Sequence, residues 1–285
     1  MYLLLLINLF FFNASDSILV KSSETGDFMN AVSTTSDGKG NIYVLDAVKN
    51  EIIKYDDNLK ELKRAGKKGW ANGEFDSPTS IDGSSGLELN VCDGKNYRIQ
   101  KFDLNLSYTS TISPYYETYP DNFRYQTPVA TVYIVPYLYA IDGENNRIVT
   151  YQIQNQSMWV PTFSFGGFQS AQKPMSKPAK IVKDGFNNIY ILDKKLSTVF
   201  KYDNFGNYFT SYENEKIISI SAFNNRLFVL TETEVLVYDS KKNAFINRIL
   251  FAEKLNTEQI QDFMVFSSSK FYILERNKLI ELILK

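Results

Sequence analysis

The feature that most constrains this chain is an internal repeat. The segment Asp37-Gly38-Lys39-Gly40-Asn41-Ile42-Tyr43-Val44-Leu45-Asp46 recurs as Asp184-Gly185-Phe186-Asn187-Asn188-Ile189-Tyr190-Ile191-Leu192-Asp193, at a constant offset of 147 residues and without a gap. Each copy is followed, eight residues after its last Asp, by Lys-Tyr-Asp: Lys54-Tyr55-Asp56 and Lys201-Tyr202-Asp203. A chain that repeats itself in this way builds its core by stacking one small unit on the next.

Weaker copies lie between and after the two strong ones. Val91-Cys92-Asp93 leads through Arg98-Ile99 to Lys101-Phe102-Asp103, and Ala140-Ile141-Asp142 leads through Arg147-Ile148 to Thr150-Tyr151. Phe228-Val229-Leu230 precedes Val235–Asp239, and Phe271–Leu274 precedes Leu279-Ile280. Each unit reads as a short strand, a polar turn and a second strand, with Asp-Gly, Asn-Asn and Lys-Asn at the reversals. The spacing averages about 46 residues, the period of propeller blades and not of a β-helix. The reading is all-β: a six-bladed β-propeller of four-stranded antiparallel blades. The last unit runs out after Leu279–Leu284, and Ser17–Lys21 is strand-like with no other assignment. Pairing the two is expected to close the ring through an N-terminal strand and to remove two open sheet edges.

The unit Asp-Gly-x-x-Asn-Ile-Tyr-Val-Leu-Asp, then Ile-x-Lys-Tyr-Asp, resembles the NHL repeat. The connector Ala65–Pro78, Gly-rich and ending in Phe75-Asp76-Ser77-Pro78, is similar to that family's link, and Asn96-Tyr97-Arg98 to its Asn-x-Arg turn. The likeness is clear over the first four units and loose over the last two. It implies a six-bladed ring, on which scaffolds, RNA binders and enzymes all occur, so it does not assign a function.

Composition removes several classes. His is absent, so a Ser-His or Cys-His nucleophile and imidazole-ligated metal are excluded. Propeller enzymes resembling amidating lyases, streptogramin lyases or paraoxonase-like lactonases rely on His. The single Cys92 excludes an internal disulfide and reads as a small strand residue. A net charge of -1 argues against a nucleic-acid partner. Met1–Phe12 is an uncharged apolar run, too short to span a bilayer and of the length of a signal h-region. Residues 1–15 are therefore expected to be a signal peptide, residues 16–285 one propeller domain, and the location secreted or periplasmic, with no transmembrane segment.

Two functional readings follow. The first is an exported, non-enzymatic binding or scaffold propeller that recognises a protein or a cell-surface component, carbohydrate included, through its inter-blade connectors. Its candidate contacts are Tyr115, Tyr116, Tyr119, Phe123, Arg124 and Tyr125 on the long Ser113–Pro128 connector, with Trp70, Arg98 and Phe168. Tyr, Trp and Arg are the usual anchors of binding surfaces. No catalytic residue, metal or cofactor is assigned in this reading. The alternative is a calcium-dependent, gluconolactonase-like hydrolase, which needs carboxylate and amide oxygens and no His. Its weak ligand candidates are Asp142, Glu144, Asn145 and Asp193. The Asp that ends the second strand of each strong unit is otherwise expected to bind the N–H groups of the turn after it.

Overall fold

A computed structural model describes residues 17–154, 158–168 and 173–285. The expected signal peptide falls outside these residues. Among them are 24 strands and two short 3-10 turns. The strands are β1 (Ser17–Thr25), β2 (Ala31–Ser36), β3 (Ile42–Asp46), β4 (Glu51–Tyr55), β5 (Glu61–Ala65), β6 (Ser80–Asp82), β7 (Glu88–Asp93) and β8 (Arg98–Asp103). There follow β9 (Tyr108–Ile112), β10 (Pro128–Ile134), β11 (Tyr137–Asp142), β12 (Arg147–Gln154), β13 (Met158–Gly166), β14 (Pro178–Lys183), β15 (Ile189–Asp193) and β16 (Thr198–Tyr202). The last are β17 (Tyr208–Glu213), β18 (Ile217–Phe223), β19 (Arg226–Thr231), β20 (Glu234–Asp239), β21 (Ala244–Phe251), β22 (Ile260–Val265), β23 (Lys270–Glu275) and β24 (Leu279–Leu284).

The strands form a propeller of antiparallel meanders: β2–β5, β6–β9, β10–β13 and β14–β17 are four four-stranded sheets. The expectation of six separate four-stranded blades is corrected here. The remaining strands make one eight-stranded sheet in the order β18-β19-β20-β21-β1-β24-β23-β22. The cause is β1. It pairs antiparallel with β24 from Leu19↔Leu284 to Thr25↔Leu279, and its first residues also pair parallel with β21 through Ser17↔Ile249 and Leu19↔Phe251. One strand thus binds the chain's end and fuses two meanders into a single sheet.

The near-continuous apolar runs of the repeat follow from burial on both faces. In β3, Ile42 and Val44 pack on Met264, Tyr272 and Leu274, whereas the alternate Tyr43 and Leu45 pack on Leu89, Val91 and Phe102 of the next sheet and on Phe75 of the connector to it. The Lys-Tyr-Asp motif fastens sheet to sheet. Lys54 Nζ donates to Leu104 O at 2.9 Å, and so does the Tyr43 hydroxyl at 3.0 Å. In the second strong copy the Tyr190 hydroxyl meets Ser240 Oγ at 2.9 Å, and Lys201 Nζ donates to Ser240 O.

The repeated Asp residues hold turns. Asp46 accepts from the N–H groups of Val48 and Lys49 at 2.9 and 3.0 Å, and from Met29 N–H at 2.7 Å. Asp193 accepts from the N–H groups of Lys195, Leu196 and Lys177. Among the described residues no helix is long and apolar enough to cross a membrane.

Candidate active site in the axial cavity

The first strands of the meanders differ from the second. Where β3 and β15 are apolar up to their closing Asp, the first strands carry Ser33-Thr34-Thr35-Ser36, Ser80-Ile81-Asp82, Lys180–Lys183, Ser219-Ile220-Ser221 and Asp262. Strands β2, β6, β10, β14, β18 and β22 surround a cavity of about 370 Å³. Neighbouring first strands lie too far apart to share a backbone ladder, and side chains join them instead. Ser33 Oγ accepts from Ile81 N–H at 3.2 Å, Thr35 Oγ1 from Gly83 N–H at 2.9 Å, Ser84 Oγ from Tyr133 N–H at 2.9 Å and Ser221 Oγ from Val265 N–H at 2.9 Å. Polarity here therefore has a structural cause, and it leaves a water-facing chamber walled by hydroxyls.

Five charged residues line the chamber: Asp82, Lys180, Lys183, Lys194 and Asp262. Asp262, 3% exposed, is saturated: it accepts from Thr34 N–H at 2.9 Å, Phe263 N–H at 2.8 Å, the Ser219 hydroxyl at 3.0 Å and the Lys180 ammonium. Lys180 also donates to Phe263 O at 2.8 Å. This pair is a fixed ionic strut across the wall.

Asp82 and Lys183 are held differently. Asp82, also buried, receives Ser84 N–H at 2.8 Å and has only a long contact, 3.5 Å, from the Asn90 amide. Burial pushes its carboxyl above the ordinary carboxylate range, and the hydrogen bonds from Ser84 and the charge of Lys183 offset that only in part. Lys183 donates to Tyr133 O at 2.7 Å. Burial lowers its affinity for the proton below that of a free lysine, against the pull of Asp82. A carboxylate made more basic and an ammonium made more acidic therefore share one chamber, which is the arrangement acid–base catalysis requires. Desolvation also lowers the proton affinity of Lys194, whose side chain stays exposed, and no proton step is assigned to it.

None of the connector residues singled out from sequence lines this cavity. Tyr115, Tyr116, Trp70 and Phe168 are exposed. Tyr119 and Tyr125 are buried, and Phe123 packs partly against the same cluster of Cys92, Leu138 and Tyr151. The Tyr119 hydroxyl donates to Trp159 O at 2.5 Å, which explains its inward turn. Arg124 is spent on its own loop, bonding Tyr119 O at 2.6 Å and pairing with Asp121 at 2.8 Å. Arg98 pairs with buried Asp93 at 2.9 Å and donates to the carbonyls of Trp70, Ala71 and Glu74, so it holds the Gly-rich connector in place. The long connector thus folds over its own sheet with Tyr119 and Tyr125 inside, so these two candidate contacts are not on the surface.

The candidate calcium ligands do not assemble. Asp142 accepts from the N–H groups of Glu144 and Asn145 and pairs with Arg147 at 2.8 Å, while Asp193 lies in another sheet with its oxygens on four N–H groups. Glu144 accepts from Gln126 N–H at 3.1 Å. In the chamber, Asp262 is saturated and three lysines stand against a dication. Among the described residues no group of three or more His, Cys, Asp or Glu is placed to hold a metal ion. A calcium ion does not fit these residues.

No family model and no curated protein matches the sequence. Solved structures do match the fold. A streptogramin B lyase superposes with a TM-score of 0.62 at 10% identity, covering 95% of this chain and 98% of that one. Virginiamycin B lyase from Staphylococcus aureus does so at 0.59 and 12% identity, covering 92% and 99%. Its catalytically inactive histidine-to-alanine variant with quinupristin gives 0.62 and 13%, covering 95% and 100%. The chain has the propeller fold of these proteins. NHL-repeat membership is not confirmed. The matched lyases are enzymes, which conflicts with the expectation of a non-enzymatic scaffold working through its connectors; at 10–13% identity the likeness itself shows the fold alone.

The chamber residues escaped the sequence reading, although a signal was there. Lys180, Lys183, Asp82 and Asp262 sit in segments whose repeat position makes them inner strands, and a charge in a buried strand needs a partner or a task.

Proposed function

We propose that this chain is an enzyme that cleaves an ester or lactone bond of a small polar substrate in its axial cavity, with Asp82 as general base and Lys183 as general acid. The observation that carries the reading is the placement of a buried carboxyl and a half-buried ammonium in one chamber, each shifted toward neutrality. In the reaction, Asp82 takes a proton from water as the water oxygen bonds to the carbonyl carbon. Collapse of the adduct breaks the carbon–oxygen ester bond, and Lys183 supplies the proton to the departing alkoxide. The hydroxyl-lined wall provides donors for the carbonyl oxygen.

This chain has no His, whereas the catalytically inactive variant among the matched lyases is a His-to-Ala substitution. The same pair would also serve an elimination, in which the base removes a carbon-bound proton. Those lyase names favour keeping that as a second reading. Product mass separates the two for an open ester or a lactone, because hydrolysis adds one water and elimination adds none.

The test is a panel of small lactones and esters followed by acid release and mass spectrometry. Activity should follow a bell in pH. Its acid limb should lie above the ordinary carboxylate range, where Asp82 must be ionised, and its alkaline limb below the ordinary lysine range, where Lys183 must be protonated. Asp82→Asn should abolish the acid limb with turnover, and Lys183→Met the alkaline limb. Turnover that survives both substitutions would end the proposal.

A further inference from the structure

One end of the chamber concentrates positive charge. Lys180 and Lys194 line it, and Lys177 stands beside them because Lys194 N–H bonds Lys177 O at 3.1 Å across the start of β14. Only one carboxylate, Asp262, faces this group, and Lys180 already pairs with it. Among the described residues, the ammonium groups of Lys177 and Lys194 have neither an ion pair nor a hydrogen-bond acceptor. Two cations beyond the single matched pair therefore stand at this end of the cavity, Lys194 in its lining and Lys177 just outside it, in a chain whose overall charge is -1. The mutual repulsion of Lys177, Lys180 and Lys194 is a standing cost that an anion would relieve.

We infer that this end, formed by Lys177, Lys180 and Lys194, is an anion subsite that holds a carboxylate or phosphate group of the substrate while its ester bond lies deeper, toward Asp82 and Lys183. The inference rests on the enzymatic reading of the chamber and adds the substrate class: small anionic esters or lactones. Lys177 and Lys194 supply unpaired donors, Lys180 supplies field from its place on Asp262, and Gln261 at the same wall can donate to a further oxygen. Such convergence raises the local concentration of anions at a cleft.

The experiment uses the full chain with two probes, inorganic phosphate and succinate, at an ionic strength fixed with chloride. A probe at ~100 times its dissociation constant should raise the melting temperature on the order of 5–10 °C. Whichever of the two binds more tightly identifies the anionic group. Lys177→Gln and Lys194→Gln, both at exposed positions, should leave the unliganded melting temperature unchanged or slightly raised and each weaken the probe roughly tenfold. Lys194→Arg should restore most of the affinity. Absence of a shift with both probes, or equal shifts in wild type and the Gln variants, would overturn the subsite. Asp82→Asn keeps the lysines and removes the base, so probe binding to that variant separates the two readings. Binding without turnover of any anionic ester by wild type would leave the subsite and end the catalytic assignment. Turnover of neutral esters without probe binding would do the reverse.

Discussion

Replacing Asp262 by Ala tests whether the inner strands are held together by side chains. Asp262 is buried and gathers the Lys180 ammonium, the Ser219 hydroxyl and the N–H groups of Thr34 and Phe263. Thr34 belongs to β2 and Lys180 to β14, so a single carboxylate on β22 ties strands on two sides of the chamber. Its removal strands a part-buried ammonium and a buried N–H, a loss of about 3–5 kcal/mol for a buried pair broken at one end. For a domain of this size each kcal/mol moves the melting point by ~2–4 °C, so a fall on the order of 10 °C is expected. Lys180→Met should cost less, about 1–3 kcal/mol, because Asp262 keeps three neutral donors. Urea denaturation of both single variants and of Asp262→Ala with Lys180→Met completes a double-mutant cycle. The double variant should lose clearly less than the sum, by at least ~1 kcal/mol. Additive losses, or an Asp262→Ala variant within ~1 kcal/mol of wild type, would refute the strut.

Two further outcomes follow from burial. Tyr119→Ser should lower the melting point clearly, having lost a buried ring and its bond to Trp159 O, whereas exposed Tyr116→Ser should shift it far less; calorimetry of both decides whether the connector is packed as described. Asp82 has a raised folded-state pKa, so the native state loses stability as pH rises from the unfolded carboxylate range through that raised value, and Asp82→Asn should be more stable than wild type above this window and gain nothing below it. Melting curves across pH read this directly, and a variant equally or less stable at neutral pH would count against the buried carboxylate.

The repeat was legible because burial on both faces of each sheet forces nearly the same apolar segment to recur. Ile42–Asp46 and Ile189–Asp193 can be aligned by eye, and the propeller follows from their spacing. The sheet count was not legible. It depends on β1 reaching β21 through Ser17–Leu19 as well as pairing with β24, and a parallel contact this short leaves no periodic mark. The site was hidden for a different reason. Inner strands are the least similar parts of the units, since each must satisfy a different neighbour: Ser33 binds Ile81 N–H, and Ser221 binds Val265 N–H. In β14 the divergence is sharpest. Lys180 and Lys183 are three residues apart and so leave opposite sides of the strand, one toward Asp262 of β22 and the other toward Tyr133 O of β10. A reading that follows resemblance between units discards such positions as noise. Yet a lysine inside a strand that the repeat places at the centre must be paired, neutral or at work, and here one of the two is paired while the other is held short of full compensation beside Asp82. In a repeat protein, then, the catalytic candidates are the charged residues that break the repeat on its innermost strand, and the exposed rings of a long connector are weaker pointers than those interior departures.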